Sequence, residues 1–294
     1  IKKGGSPMGP ASVALSNKLA DAYNPVGMYV GVGAKTADKA ALSKAQQMLD
    51  AGADNRDVWS QTGWFRGPDG KMRFEIDDSK SVPGQRLYSW GESTDLKQGN
   101  STVVKRQKAL LHPELSAAYP DTKSIGVFLK PGDSGGGSYM TDFDNITVGT
   151  AKNGAANRST MLHELQHAIQ KREGFAGGGT PESSYGLDVA DALKAVRKEK
   201  AAIGIDPYAI QNRIAARYQI PEEELAKYKE WQDLAAKEDG LLKSMASPYE
   251  AYRRIAGEAE ARAVQQRMNL TAEQRRALFP LDSYDVPIDS LIFK

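Results

Sequence analysis

The chain has 294 residues, enough for one large domain or two modest ones with a buried core. Its 39 Lys and Arg nearly balance its 37 Asp and Glu, so charge favours neither nucleic acid nor an anionic membrane as a partner. No stretch approaches the roughly eighteen apolar residues of a transmembrane helix, and the N-terminus lacks the apolar core of a signal peptide. Cysteine is absent, which excludes disulfides and leaves His, Asp and Glu as metal ligands.

The predicted elements follow a linker or arm over residues 1–25, which is rich in Gly, Ser and Pro. Hydrophobic periodicity and turn residues then predict a strand, an amphipathic helix, a hairpin around GPDG, a short helix and two further strands. In chain order these lie at 28–33, 36–53, 58–78, 108–120, 124–130 and around 146–148, with an irregular stretch at 78–105.

The second half of the chain is predicted to be mostly helical. A helix over 159–174 is followed by helices over 187–203, 207–219, 221–246, 249–268 and 271–279, and then by an extended tail. This order, in which strands and helices come first and helices alone follow, predicts an α+β fold. We therefore divide the chain into an α+β part, 26–186, and a helical part, 187–294, which together form one catalytic unit.

The segment STMLHELQHAIQKREG, residues 159–174, contains two of the three histidines of the chain. On a helix His163 and His167 share one face and can bind the same ion. Glu164 lies beside them and can take a proton from a water molecule activated by that ion. This is the H-E-x-x-H pattern of zinc peptidases; the alternative is a chance match on an ordinary polar face.

The surroundings of this pattern favour a rigid, buried helix. Ser159 or Thr160 is predicted to cap its start. An apolar stripe faces the core and comprises Met161, Leu162, Leu165, Ala168 and Ile169.

A catalytic zinc needs a third protein ligand. Gln170 stands where metzincins have glycine, so that class is excluded, and His112 precedes a proline and is predicted to be solvated or to cap a helix. The helix predicted over 252–268 offers Glu258 and Glu260 among small residues. They lie about 200° apart, so only one can face the ion, and the residues alone leave open which. Both could instead be solvated on an exposed face.

HELQH followed much later by GEAEAR resembles the gluzincin group of zincin peptidases, whose third ligand begins an E-x-x-A-[D/N] helix motif. The resemblance implies a zincin-like fold with a small mixed or antiparallel sheet. It also implies Zn²⁺ held by His163, His167 and Glu258, with Glu164 as the general base.

One position departs from that motif. Ala261 matches the small residue, but Arg262 stands where Asp or Asn is usual. We expect Arg262 to orient Glu260 or a carboxylate of the substrate instead.

Four segments are together similar to a zincin domain of the large polyvalent proteins of phages, prophages and mobile elements: TGWFRGPDGKMRFEIDDSK, LLHPELSAAYPD, MLHELQHAIQKREGFAGGG and YRRIAGEAEARAVQQRMNLTAEQRR. The similarity runs from about residue 40 to the tail. It implies neighbouring domains in a larger polyprotein and would explain the start at Ile1 as that of an excised piece. The bacterial cytoplasm or the virion is the expected location.

The expected function is that of a zinc metallopeptidase acting on a protein or peptide, including its own polyprotein. An edge strand over 145–149 is expected to pair with the substrate, and Tyr252 is a candidate for stabilising the oxyanion. The alternatives are an amidase acting on a peptidoglycan-type amide and a zinc-stabilised module without catalytic activity.

Overall fold

The computed structural model describes residues 27–84, 102–131, 136–150 and 154–294, so the predicted arm over 1–25 lies outside the described residues. The fold is α+β, as predicted. Its strands are β1 (Gly27–Val30), β2 (Phe65–Arg66), β3 (Met72–Asp77), β4 (Val82–Pro83), β5 (Thr102–Lys105), β6 (Leu110–Leu111), β7 (Gly126–Pro131), β8 (Gly137–Met140) and β9 (Asn145–Thr150).

The α-helices of the described part are α1 (Lys39–Asp50), α2 (Asn55–Thr62), α3 (Arg106–Ala109), α4 (Pro113–Ala118), α5 (Gly154–Glu173), α6 (Pro181–Ser184), α7 (Ala190–Ala202), α8 (Pro207–Ala215), α9 (Glu222–Ser244), α10 (Pro248–Arg254), α11 (Ala256–Arg267) and α12 (Ala272–Ala277). None of these helices is long and apolar enough to cross a membrane.

The chain forms two compact units. The first contains the described residues from 27 to 178 and from 256 to 294, and it includes the nine described strands together with α5 and α11. The second runs from Gly179 to Ile255 and contains α6 to α10, with α7 packed against α9.

Among the described strands the largest sheet has the order β5-β7-β9-β8. β7 and β9 run parallel and the other pairs antiparallel, so the sheet is mixed. The expectation of an edge strand over 145–149 is wrong, because β9 lies between β7 and β8 and the edge is β8. The sequence pattern missed β8 because its residues GSYM directly follow a glycine-rich run that is typical of a loop.

Helix α5 packs against β8, β9 and β1. Its predicted apolar stripe is confirmed, since all five side chains are fully buried. Burial of a large apolar side chain stabilises a fold by about 1.5–3 kcal/mol. The large side chains of this stripe therefore hold the helix firmly in place. The predicted cap is wrong: α5 begins at Gly154, and Thr160 Oγ1 donates to the carbonyl of Ala156 inside the helix at 3.1 Å.

The hairpin predicted over 58–78 is half right. β2 and β3 pair across the GPDG turn, but α2 takes the place of the expected first strand. Asp54 caps α2 by accepting the N–H of Arg56 at 2.8 Å, and Gly63 ends it with φ +77°. These local capping contacts outweigh the strand preference of the apolar residues between them.

The helix predicted over 249–268 is two helices, α10 and α11. Ile255 between them has extended backbone, with φ −60° and ψ 126°. The N–H of Ala256 donates to the carbonyl of Ile292 at 2.9 Å, so a residue from the C-terminal tail takes part in the start of α11. Sequence periodicity cannot reveal such a long-range partner.

Candidate metal centre

His163 and His167 on α5 and Glu258 on α11 converge on one point. The two carboxylate oxygens of Glu258 lie 3.3 Å from Nε2 of His163 and 3.3 Å from Nε2 of His167. One ligand atom from each of the three residues lies within 4.8 Å of the others. The histidine side chains are 12% and 11% exposed and that of Glu258 is 3% exposed, so the site reaches solvent through its imidazoles.

The donor set and the charge of this cluster fit a divalent transition metal. Two imidazole nitrogens and one carboxylate are donors that such ions accept, and three protein ligands leave one position free. Burial alone would lower the pKa of His167, but its hydrogen bond to Glu258 and the charges of Glu258 and Glu164 outweigh burial and raise that pKa to about 9. The cluster therefore favours positive charge at this point, and a divalent cation would supply it.

Two glycines allow α11 to approach the segment that follows α5. A Cβ at Gly178 would lie 2.4 Å from Oε1 of Glu258 and 2.5 Å from Cε1 of His167. A Cβ at Gly257 would lie 2.3 Å from the carbonyl carbon of Gly177. A side chain at either position would push apart the elements that carry the ligands.

Glu260, the second candidate for the third ligand, belongs to a different charge cluster. Its Oε2 accepts from Nε of Arg73 at 2.6 Å, and both side chains are only 2% exposed. The structure thus brings Glu258, and not Glu260, to the histidines. Arg262 makes two hydrogen bonds of 2.9 Å with Asp285, while Glu260 is paired with Arg73, and a contact of Arg262 with a carboxylate of the substrate stays a prediction.

Glu164 lies beside the three donor residues and is only 4% exposed. Burial raises its pKa, the charges of His167 and His163 oppose that rise, and Glu258 adds to it. The carboxylate also accepts a hydrogen bond from the backbone of Tyr139 on β8. Glu164 is therefore a buried carboxylate in electrostatic contact with the cluster and in hydrogen-bonding contact with the edge strand.

Strand β8 runs directly over Glu164. A Cβ at Gly137 would lie 2.7 Å from Oε1 of Glu164 and 2.7 Å from Cγ2 of Thr160. Only glycine allows the strand to come this close. The edge of the sheet and the carboxylate thus share one face of the molecule.

His112 lies apart from the cluster. It is fully buried, so the solvated alternative is wrong, while the capping alternative is confirmed: its Nδ1 accepts from the N–H of Leu115 at 3.2 Å at the start of α4. Tyr252 lies in the second compact unit, and its contribution to catalysis stays a prediction.

Sequence reasoning missed two glutamines that contact the histidines. Nδ1 of His167 lies 2.8 Å from Oε1 of Gln170, and Nδ1 of His163 lies 3.1 Å from Oε1 of Gln265. A signal was present, because Gln170 follows His167 by three positions and Gln265 follows Glu258 by seven. Both spacings return a residue to nearly the same face of a helix.

Residues 27–82 match the family described as Large polyvalent protein associated domain 23. The match supports a polyvalent-protein context for this chain. It covers the region from β1 through β3 and includes α1 and α2, whereas α5 and α11, which carry the cluster, lie outside it. Neither the curated proteins nor the solved structures contain a match to this chain.

Proposed function

We propose that this chain is a zinc-dependent metallopeptidase of zincin type. The observation that carries the proposal is Glu164, a buried carboxylate directly beside three metal donors. A metal that only stabilised a fold would need no such group next to it, whereas hydrolysis needs a base at that place.

The residues of the cluster divide the chemistry among them. When bound, Zn²⁺ supplies a Lewis acid that polarises a carbonyl group and lowers the pKa of water. His163, His167 and Glu258 would hold it. Glu164 would accept a proton from the attacking water and return it to the leaving nitrogen, and its raised pKa suits a group that must do both.

The edge strand β8 favours an extended peptide as the substrate. Within the described part of the sheet its outer side faces no other strand, and Gly137, Ser138 and Met140 are exposed. An extended peptide can add to such an edge through main-chain hydrogen bonds. Its scissile bond would then lie close to Glu164, over which the strand runs.

Strand β8 is also held in place from its far end. The hydroxyl of Tyr139 donates to Asp144 at 2.6 Å, and Asp144 accepts from Arg172 of α5 at 2.8 Å. The strand is thereby tied to the same helix that carries the histidines. A substrate aligned on β8 would keep a constant position relative to Glu164.

The test is the variant Glu164→Gln, assayed with a peptide library and with zinc analysis. We expect unchanged zinc binding and a loss of hydrolysis of about 10²–10⁴-fold, the usual contribution of a general base. Glu173→Gln is the control, because Glu173 lies on the same helix but binds the N–H of Gly33 at 3.0 Å. Full activity of Glu164→Gln would refute the mechanism.

The polyvalent-protein context favours substrates within, or delivered beside, a larger polyprotein. A longer chain that includes the neighbouring domains, with and without Glu164→Gln, would test this: cleavage only with an intact Glu164 supports self-processing. Hydrolysis of peptidoglycan fragments but of no peptide would instead favour the amidase alternative.

A further inference from the structure

Two amide side chains lie behind the histidines of the metal centre. Oε1 of Gln170 is the partner of Nδ1 of His167, and Oε1 of Gln265 is the partner of Nδ1 of His163. An amide oxygen can only accept, so each histidine must carry a proton on Nδ1. Nε2 is the atom that faces Glu258 in both histidines, and it offers its lone pair to a cation once a cation takes the place of the proton between Nε2 and the carboxylate.

The orientation of Gln265 is fixed by the residue on its other side. Its Nε2 donates to the hydroxyl of Ser159 at 3.0 Å and to the carbonyl of Ser159 at 3.3 Å. A carbonyl cannot donate, so the NH₂ group must point to Ser159. The amide oxygen is then directed at His163.

The orientation of Gln170 is fixed by two acceptors. Its Nε2 donates to the carbonyl of Gly257 at 2.9 Å and to Oε1 of Glu260 at 3.1 Å. Oε1 of Glu260 also accepts from Nε2 of Gln166 at 2.9 Å. The carboxylate of Glu260 thus holds the NH₂ group of Gln170 and turns its oxygen toward His167.

Glu260 is itself held by Arg73. Besides its bond to Glu260, the guanidinium of Arg73 makes a bidentate pair with Asp69, with distances of 2.6 Å and 2.9 Å. Arg73 and Asp69 lie in the segment that matches the polyvalent-protein family. A continuous series of hydrogen bonds therefore runs from that segment to the histidine on α5.

We propose that Glu260 and Gln265 are positioning residues of the metal centre. Glu260 acts through Gln170 and Gln265 acts directly, and both keep the histidine protons on Nδ1 so that the two Nε2 atoms face the ion. The inference rests on the proposed metal centre, but it does not depend on hydrolysis.

A merely structural contribution of Glu260 would be the docking of α11 on β3. A second ion pair between the same two elements provides a matched control for that contribution. Glu75 on β3 binds Arg267 on α11 at 2.6 Å and 3.0 Å, and both side chains are fully buried. The two pairs join the same elements, but only Glu260 contacts Gln170.

The experiment measures the Zn²⁺ affinity of the whole chain by competition with a chromophoric chelator. Glu260→Gln introduces an NH₂ group that can donate to Gln170, so that Gln170 can turn its own NH₂ group toward His167. We expect about 10–100-fold weaker zinc binding in Glu260→Gln and a change of less than about threefold in Glu75→Gln. Equal losses in both variants, or none in Glu260→Gln, would overturn the proposal.

Gln265 provides a second test with little risk to folding, because its side chain is only half-buried. We expect Gln265→Leu to weaken zinc binding by about tenfold or more, and Gln265→Glu, which keeps an acceptor for His163, to stay within about threefold of the wild type. Wild-type affinity in Gln265→Leu contradicts the inference. Zinc uptake without hydrolysis in the wild type refutes the peptidase alone, whereas no zinc uptake refutes both.

Discussion

Glu258 and Glu260 lie two residues apart on α11, and their carboxylates have different partners. Glu258 lies 3.3 Å from the Nε2 atoms of His163 and His167, and Glu260 lies 2.6 Å from Nε of Arg73. Two buried carboxylates this close in sequence each need their own positive charge. Arg73 supplies it for Glu260, whereas the imidazoles lie beside Glu258 and the neighbouring Glu164.

The first prediction concerns the ion pair between Arg73 and Glu260. Arg73→Met leaves the buried carboxylate of Glu260, and the less buried one of Asp69, without their arginine and should lower the free energy of unfolding by about 3–5 kcal/mol. Adding Glu260→Met removes the more deeply buried of the two carboxylates, so the double variant should be more stable than Arg73→Met. Urea unfolding of the three proteins measures the difference.

The exposed pair between Arg56 and Asp282 is the control. Its two hydrogen bonds, of 2.6 Å and 2.5 Å, are as short as the single bond between Arg73 and Glu260, but the arginine side chain is 58% exposed. Arg56→Met should change stability much less than Arg73→Met, because water replaces the lost partner. Equal losses in the two variants would show that burial of Glu260 does not carry the effect.

The sequence predicts local features of this molecule well and distant partners poorly. The apolar stripe of α5 follows from helical spacing. The angle of about 200° between Glu258 and Glu260 on a helix already predicts that only one of them can face the ion. The choice between them depends on Arg73, which is 187 residues away from Glu260. Strand β8 was missed because its hydrogen bonds to β9, and not its glycine-rich composition, make it a strand.

The second prediction tests the close approach of β8 to Glu164. In Gly137→Ala the new Cβ would lie 2.7 Å from Oε1 of Glu164, so the carboxylate must move while the three ligands stay in place. We expect hydrolysis to fall by up to about 100-fold, the cost of misplacing a reacting group by about 1 Å, with zinc affinity unchanged. Peptide turnover and chelator competition on the same samples give the two values.

Gly126→Ala is the matched control for this prediction. Gly126 lies on β7 of the same sheet, but a Cβ there would meet its nearest atoms at 3.7 Å and 4.0 Å, which is ordinary contact. Its activity should remain close to that of the wild type. A similar loss in both variants would mean that disturbance of the sheet, and not of Glu164, lowers the activity.

The third prediction concerns the contact between α11 and the glycines after α5. In Gly257→Ala the Cβ would lie 2.3 Å from backbone atoms of Gly177, which cannot rotate away. We expect weaker zinc binding and a loss of about 1–3 kcal/mol in the free energy of unfolding, the usual effect of overpacking. Gly240→Ala on α9 meets nothing within 4 Å and should stabilise its helix by about 0.5–1 kcal/mol.

The fourth prediction concerns the buried His112. Burial lowers the pKa of His112 to about 3, with Arg106 and Arg158 adding to the effect and Asp77 opposing it. In the unfolded chain the pKa is near 6.5, so below that pH the unfolded state binds a proton that the folded state does not. The contribution of neutral His112 to the free energy of unfolding is therefore fully present above pH 6.5 and is lost as the pH falls toward 3. The loss is about 2 kcal/mol at pH 5.

His112→Asn isolates this contribution, because asparagine keeps a side-chain acceptor for the N–H of Leu115 and does not titrate. The smaller side chain lowers stability by the same amount at every pH. Wild-type protein should thus lose about 2 kcal/mol more than the variant between pH 7 and pH 5, since the other titrating groups are common to both. Urea unfolding at the two pH values measures this difference, and parallel pH curves would contradict a neutral, buried His112.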